Sequence, residues 1–228
     1  MDGIVVRDGL QQLDAPSLRD QAKRAVRGRI VAGDLVPGEL YSVAFFSERL
    51  GVSATPIREA LLDLASDGLL EVVRNRGFRV VQLTDHDLDE ILDLRLLLEV
   101  PTLGRIADRL TPEQLAEVGD LAAAIEPSAR DGDVAGFIEA DRRFHLELLT
   151  YAGNRRLVEL IGKLRDQMRM PQLAEAGHLQ SSMAEHHEIL DALRRGDRPG
   201  VESVMRRHLE HTRGIWAGRA EPDRREPL

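Results

Sequence analysis

Apolar positions recur with two periods along this chain, and the change between them divides it. The first third mixes helical spacing with short alternating runs, whereas beyond Thr84 every apolar repeat is helical. Leu18 to Ala32 reads as a helix capped by Ser17 and closed by Gly33. Pro37-Gly38 turns the chain into a short helix from Ser42 to Leu50, which ends at Gly51. After the turn Gly51-Val52-Ser53, Ser53 can cap a further helix through its hydroxyl, with Pro56 in the first turn, where a missing N–H costs little. Ile57, Leu61, Leu64 and Ala65 set its inward face, and Asp67-Gly68 stops it. Leu69 to Val73 and Phe78 to Leu83 read as two strands joined by Asn75-Arg76-Gly77.

Beyond the strands, Thr84-Asp85 opens a helix to about Asp108, and Thr111-Pro112-Glu113 a second to about Ala129. Asp133 to Tyr151 is a third. Gly153-Asn154 turns into a fourth, from Arg155 to about Met170. Pro171 to Leu179 fits neither pattern. Ser182 to Arg195 and Pro199 to Ala217 are the fifth and sixth. The expected fold is mainly α: an N-terminal winged helix-turn-helix, then an antiparallel bundle of six or more helices. The divisions are a loose arm at 1–16, a winged helix-turn-helix at 17–83, a helical domain at 84–217 and a tail at 218–228.

Composition changes this picture in three ways. The chain of 228 residues has no Cys, which removes disulfides and thiolate metal sites. No signal-like leader or apolar run long enough to span a bilayer is present, so a cytoplasmic protein without a membrane partner is expected. The net charge of −8 looks wrong for a DNA-binding protein, but residues 1–83 hold 11 Lys/Arg against 11 Asp/Glu. The whole excess of acid therefore lies in residues 84–228, and DNA affinity must come from where particular arginines sit. Arg49 can reach a phosphate, and Arg74 and Arg76 flank the hairpin tip, as a phosphate or minor-groove contact requires. Lys23, Arg24, Arg27 and Arg29 form a basic flank on the first helix, read either as a phosphate contact or as a solvated face. A hairpin kept soluble by charge is the plain alternative for the wing.

The stretch GVSATPIREALLDLASDGLLEVVRNRGFRV, with the helix before it, resembles the DNA-binding signature of the GntR family of bacterial transcription regulators. The resemblance covers residues 17 to 83. It implies DNA contacts from Ser53, Thr55, Pro56 and Arg58 at the recognition-helix start, and from Arg76 and Gly77 at the wing. Ala54 and Ala44 depart from the family, whose members often carry Arg and a charged residue there. One recognition helix reads only a few base pairs, so a homodimer on an inverted repeat of double-stranded DNA is expected.

Three bundle helices carry polar residues inside their apolar stripes. In the third, Asp141 and His145 fall among Val134, Phe137, Ile138, Phe144, Leu148 and Leu149. In the fifth, His186 falls among Met183, Ile189, Leu190 and Leu193, while His187 is pushed to the rim. In the sixth, His208 falls among Val201, Val204, Met205, Leu209, Ile215 and Trp216, with His211 off the stripe. Each alone reads as a core polar group satisfied by a hydrogen bond. Together, neutral imidazoles and one carboxylate suit zinc, nickel or another first-row divalent ion. The run Asp141-Arg-Arg-Phe-His145, then Gly153-Asn154, Glu185-His186-His187-Glu188 and Met205-Arg-Arg-His208, resembles the all-helical ligand-binding domain of the FadR-like branch of the same family. That resemblance implies a metal on Asp141, His145, His186 and His208, and disfavours a fatty-acyl effector.

Arg95 and Glu99 likewise interrupt the stripe of the first bundle helix. They read either as an internal i, i+4 ion pair or, for Arg95, as the clamp of an effector carboxylate. The resulting expectation is an effector-responsive DNA-binding regulator controlled by a small organic acid at a metal site. Two alternatives stand beside it: a metal-dependent enzyme with a DNA-binding appendage, in which Glu185 or Glu188 is a general base, and a DNA-binding protein whose bundle only dimerises.

Overall fold

The structure, a computed structural model, describes residues 16–168 and 178–216, without the side chains of 178, 215 and 216. The expected N-terminal arm (apart from Pro16), the stretch Pro171–Gly177 and the tail lie outside the described residues.

The N-terminal unit is built from α1 (Leu18–Val31), β1 (Leu40–Tyr41), α2 (Val43–Leu50), α3 (Ala54–Ser66), β2 (Leu70–Val73) and β3 (Gly77–Val80). Ser17 and Ser42 cap α1 and α2 through their hydroxyls, and Gly51 closes α2 in the left-handed conformation. Ser53 occupies the cap position of α3 but makes no side-chain cap bond. The reason lies three residues on: Pro56 occupies the position whose N–H such a hydroxyl usually accepts, and it has none. The sequence reading of Ser53 as a hydroxyl cap is corrected on this point.

The strands form a three-stranded antiparallel sheet in the order β1-β3-β2. The two-residue β1 was too short to leave a period in the sequence. It explains Gly77: with φ 135° and a built Cβ in collision with the Tyr41 carbonyl oxygen, only glycine lets β1 lie alongside β3. Ile30, Ile57, Leu61, Leu64, Leu69, Phe78 and Val80 are fully enclosed in the core of this unit.

The bundle comprises α4 (Asp85–Ile106), α5 (Pro112–Ala123), α6 (Glu126–Asp131), α7 (Val134–Thr150), α8 (Arg155–Gln167), α9 (His178–Arg194) and α10 (Arg198–Trp216). Capping boxes start α4, between Thr84 and Asp87, and α5, between Thr111 and Gln114. The single helix expected from Thr111 to Ala129 is two, broken at residues 124–125. Pro127 falls in the first turn of α6, where its missing N–H is tolerated; inside one continuous helix it would remove a bond and clash. Helix α9 starts at His178, four residues before the expected Ser182. Among the described residues no helix is long and apolar enough to cross a membrane.

Candidate metal centre and DNA-contact surface

Helices α7, α9 and α10 meet with their polar residues facing one point. Asp141, His145, His186 and His208 are all buried, and one potential ligand atom from each lies within 4.8 Å of every other. The Nε2 atom of His145 is 3.1 Å from that of His186 and 3.1 Å from that of His208. The Asp141 carboxylate is 2.9 Å from His186 Nε2 and 3.6 Å from His145 Nε2.

The outer ring atoms decide what these contacts mean. His186 Nδ1 lies 2.7 Å from the Ser182 carbonyl oxygen, and His208 Nδ1 lies 2.9 Å from Glu185 Oε2. Both partners only accept, so each Nδ1 carries the proton and each Nε2 of a neutral ring presents a lone pair inward. His145 Nε2 has at most one proton to offer two such neighbours. Hydrogen bonding alone therefore leaves inward lone pairs unmatched beside a carboxylate. Two atoms held at right angles, each about 2.1 Å from one ion, stand about 3.0 Å apart, close to the spacing of His145 from His186 and His208 and of Asp141 from His186. The donor set fits a divalent first-row ion on Asp141, His145, His186 and His208. Burial holds His145 and His208 below the usual imidazole range. Burial opposes ionisation of Asp141, but the imidazole of His145 first, then that of His186 and the Arg165 guanidinium, outweigh it and keep the carboxyl well below its usual range.

Two residues support this centre: Glu185, which the sequence offered only as a general base, and Arg165, to which it gave no role. Glu185, fully buried, accepts from His208 and also faces His211 Nδ1 at 3.1 Å, so it orients the His208 ring. Its neighbour Glu188 is exposed and paired with Arg207 instead. Arg165, on α8, donates to Asp141 Oδ2 at 3.0 Å and to Glu99 Oε2 at 2.9 Å. It breaks the apolar series Ile161, Leu164, Met168, the same sign that marked Asp141 on α7. His187 lies outside the cluster, 3.3 Å from Glu126.

Arg95 donates from Nε to Glu99 Oε1 at 2.6 Å, and its Nη1 lies 3.1 Å from Met168 Sδ. The internal pair is thus present, extended by Arg165 to the Asp141 carboxylate. Burial raises the Glu99 carboxyl, but Arg165 and Arg95 overcome it and bring it down to about 2.

In the N-terminal unit, Ser53, Thr55 and Arg58 are exposed at the start of α3, and Arg74 and Arg76 are exposed at the wing tip. Pro56 is half-buried, and Gly77 serves the sheet as described above. The exposed Arg49 lies over the Phe45 ring at 3.7 Å. The basic flank of α1 is largely committed inside the molecule. Lys23 pairs with Asp67, Arg27 with Glu139 and Asp166, and Arg29 with Asp34. Neither reading of that flank, phosphate contact or solvated face, holds for Lys23 and Arg27.

A winged helix-turn-helix joined to a helical bundle with a buried Asp/His cluster defines a class of bacterial regulators, and the comparisons agree. Residues 18–80 match the model of "Bacterial regulatory proteins, gntR family", and residues 90–211 match that of the FCD domain. The chain is 30% identical over 202 residues to the HTH-type transcriptional regulator McbR of Escherichia coli K12, covering 86% of this chain and 91% of that one. It is 31% identical over 202 residues to a probable D-xylose utilization operon transcriptional repressor of Paenarthrobacter nicotinovorans, covering 87% and 88%. The solved structure of E. coli McbR/YncC superposes with a TM-score of 0.79 at 29% identity, covering 90% of this chain and 99% of that one. The chain belongs to the GntR family, in the branch that carries an FCD domain. It is a transcription regulator rather than an enzyme.

Glu99 is the shared partner of two buried guanidinium groups. Glu99→Ala leaves both with a buried charge uncompensated on that side, so it should destabilise the bundle by about 3–5 kcal/mol. The check is urea unfolding followed by circular dichroism, with Arg156→Ala, at an exposed position of α8, as the control near zero.

Proposed function

We propose that this regulator holds a divalent metal on Asp141, His145, His186 and His208, and that a small organic acid bound there controls its grip on DNA. The observation that carries this reading is the inward convergence of imidazole lone pairs whose outer nitrogens are already committed to Ser182 and Glu185. Zinc, nickel or another first-row ion suits these donors. Four protein ligands leave one or two positions on an octahedral ion, where a carboxylate oxygen can replace water. Arg95 is the candidate for the acid's remaining oxygen; it lies two side chains from Asp141, through Glu99 and Arg165.

On the DNA side, Ser53, Thr55 and Arg58 enter the major groove with Pro56 shaping the turn, Arg74, Arg76 and Gly77 form the wing contact, and Arg49 reaches the backbone. An inverted-repeat operator requires two copies. Helix α4 offers the surface for the second. Its middle, Leu94 to Leu98, is leucine at every position but Arg95, and it exposes Leu94 at 45% and Leu97 at 71% of their surface. Exposed Glu90 and Asp93 precede Leu97 and exposed Arg105 follows it, so two copies crossing antiparallel at Leu97 set acid against base at both ends.

Five outcomes test the reading. In a thermal-shift screen of small carboxylates, one should raise the melting temperature of the metal-loaded chain and fail to do so after chelation. His208→Ala should lower metal content and melting temperature together, while His187→Ala changes neither; the reverse pattern sinks the assignment. Because burial keeps His145 and His208 neutral below their usual pKa of about 6.5, metal should be retained below that pH and shed only on further acidification. Arg58→Ala should weaken binding to the site selected from random DNA by about 1–3 kcal/mol, read by gel-shift titration. Leu97→Asp should convert a dimer to a folded monomer in light scattering. A parent that is itself monomeric removes the dimer, and a variant that still dimerises removes only this surface.

A further inference from the structure

Three consecutive residues of α8 point in three directions, and each reaches a different part of the molecule. Arg165 donates to Asp141 and to Glu99 in the bundle core. Asp166 accepts from Arg142 of α7 at 2.7 Å and from Arg27 of α1 at 3.1 Å. Gln167 donates through Nε2 to the backbone oxygen of Asp67 at 3.0 Å. Asp67 is the residue that ends the recognition helix α3. Its carboxylate takes Lys163, one turn before Gln167 on α8, at 3.0 Å, and Lys23 of α1 at 2.7 Å. The fit is close: Gly68 has φ 78°, and a built Cβ there collides with the Gln167 amide.

The junction is otherwise thin. Between α1 and α7 lies a cleft of about 370 Å³ lined by Ala25, Gly28, Ala32, Ala135 and Ile138. Around it stand the pairs of Arg27 with Glu139 and Asp166. Ion pairs around an open cleft, rather than an apolar interface, hold the two units at this angle. Such contacts are exchangeable in a way that a packed core is not.

We infer that the α8 run Lys163, Arg165, Asp166 and Gln167 positions the recognition helix, and that it does so in register with the Asp141 carboxylate. Asp166 and Gln167 are positioning residues: they touch neither DNA nor the cluster, and act by fixing where α3 points. A change in the charge or place of Asp141 reaches Arg165 directly, and one residue further along the same helix are the contacts to α1 and α3. The coupling half rests on the metal reading proposed above; the positioning half does not.

The chain has no Cys, so cysteines introduced by Glu59→Cys on α3 and Arg109→Cys beyond α4, both exposed, can carry two spin labels in the full-length protein. Double electron–electron resonance then reads the distance between the units. Zinc chloride is the loading probe and EDTA the stripping agent. Mixed with an excess of unlabelled chain, so that each doubly labelled copy meets an unlabelled one, the zinc-loaded parent should give one narrow distance distribution. Asp166→Asn with Gln167→Ala should broaden it while helical content and zinc stoichiometry stay at parental values, and Asp166→Glu should restore it. A distribution as narrow in the double variant as in the parent overturns the positioning role. If the double variant does not keep its helical content, raising the ionic strength on the parent tests the same contacts without substitution, and an unmoved distribution again counts against it. Stripping zinc should broaden the parent's distribution; a loaded parent that shows no change on stripping overturns the coupling. A parent that takes up no zinc removes the metal reading and the coupling with it, and leaves the positioning role to be decided by the variant.

Discussion

A neutral imidazole whose outer nitrogen donates to a fixed acceptor has only a lone pair to offer on the other side. In this protein His186 and His208 are both in that position, and both face His145 and the Asp141 carboxylate in a buried space. Unmatched polar groups in a core cost free energy that packing alone does not return. One cation satisfies all four at once. Such a cation would also join α7, α9 and α10, which are distant in sequence, so the bundle's geometry would depend on how this one point is neutralised.

Around that point the charges alternate. Glu185 backs His208, Arg165 backs Asp141, and Glu99 backs both Arg165 and Arg95. Each charge is buried only because its neighbour is, so none can be removed singly at low cost. The chain of contacts does not stop within the bundle. Through Asp166, Gln167 and Lys163 it passes to α1 and to the end of α3. The regulator's two units therefore meet by charges and amides around a cleft, an arrangement able to change angle without unpacking either core.

The fold was largely legible because its elements announce their ends. Ser17, Ser42 and Thr84 mark helix starts, and Gly51 and Asp67-Gly68 mark stops. The failures have local causes. Pro127 splits α5 from α6 inside a run whose apolar spacing is continuous. Ser53 has the residue type and place of a hydroxyl cap, but Pro56 lacks the N–H that its oxygen would accept. The four cluster residues were legible because each interrupts an apolar stripe, and the structure brings those four together. Arg165 interrupts α8 in the same way and would have been found by the same test. The partners of Lys23 and Arg27 were not legible: Asp67, Glu139 and Asp166 lie far along the chain, and no local period records a contact between two domains.

The central claim is that an ion sits among Asp141, His145, His186 and His208. X-ray absorption spectroscopy of the purified protein, after its metal is identified by elemental analysis, tests it most directly. The account predicts one divalent ion per chain, three imidazole nitrogens and at least one carboxylate oxygen at about 2.0–2.2 Å, and loss of one imidazole in His208→Ala. A protein that carries no first-row metal and takes none up, or one whose bound ion shows no imidazole scattering, contradicts it.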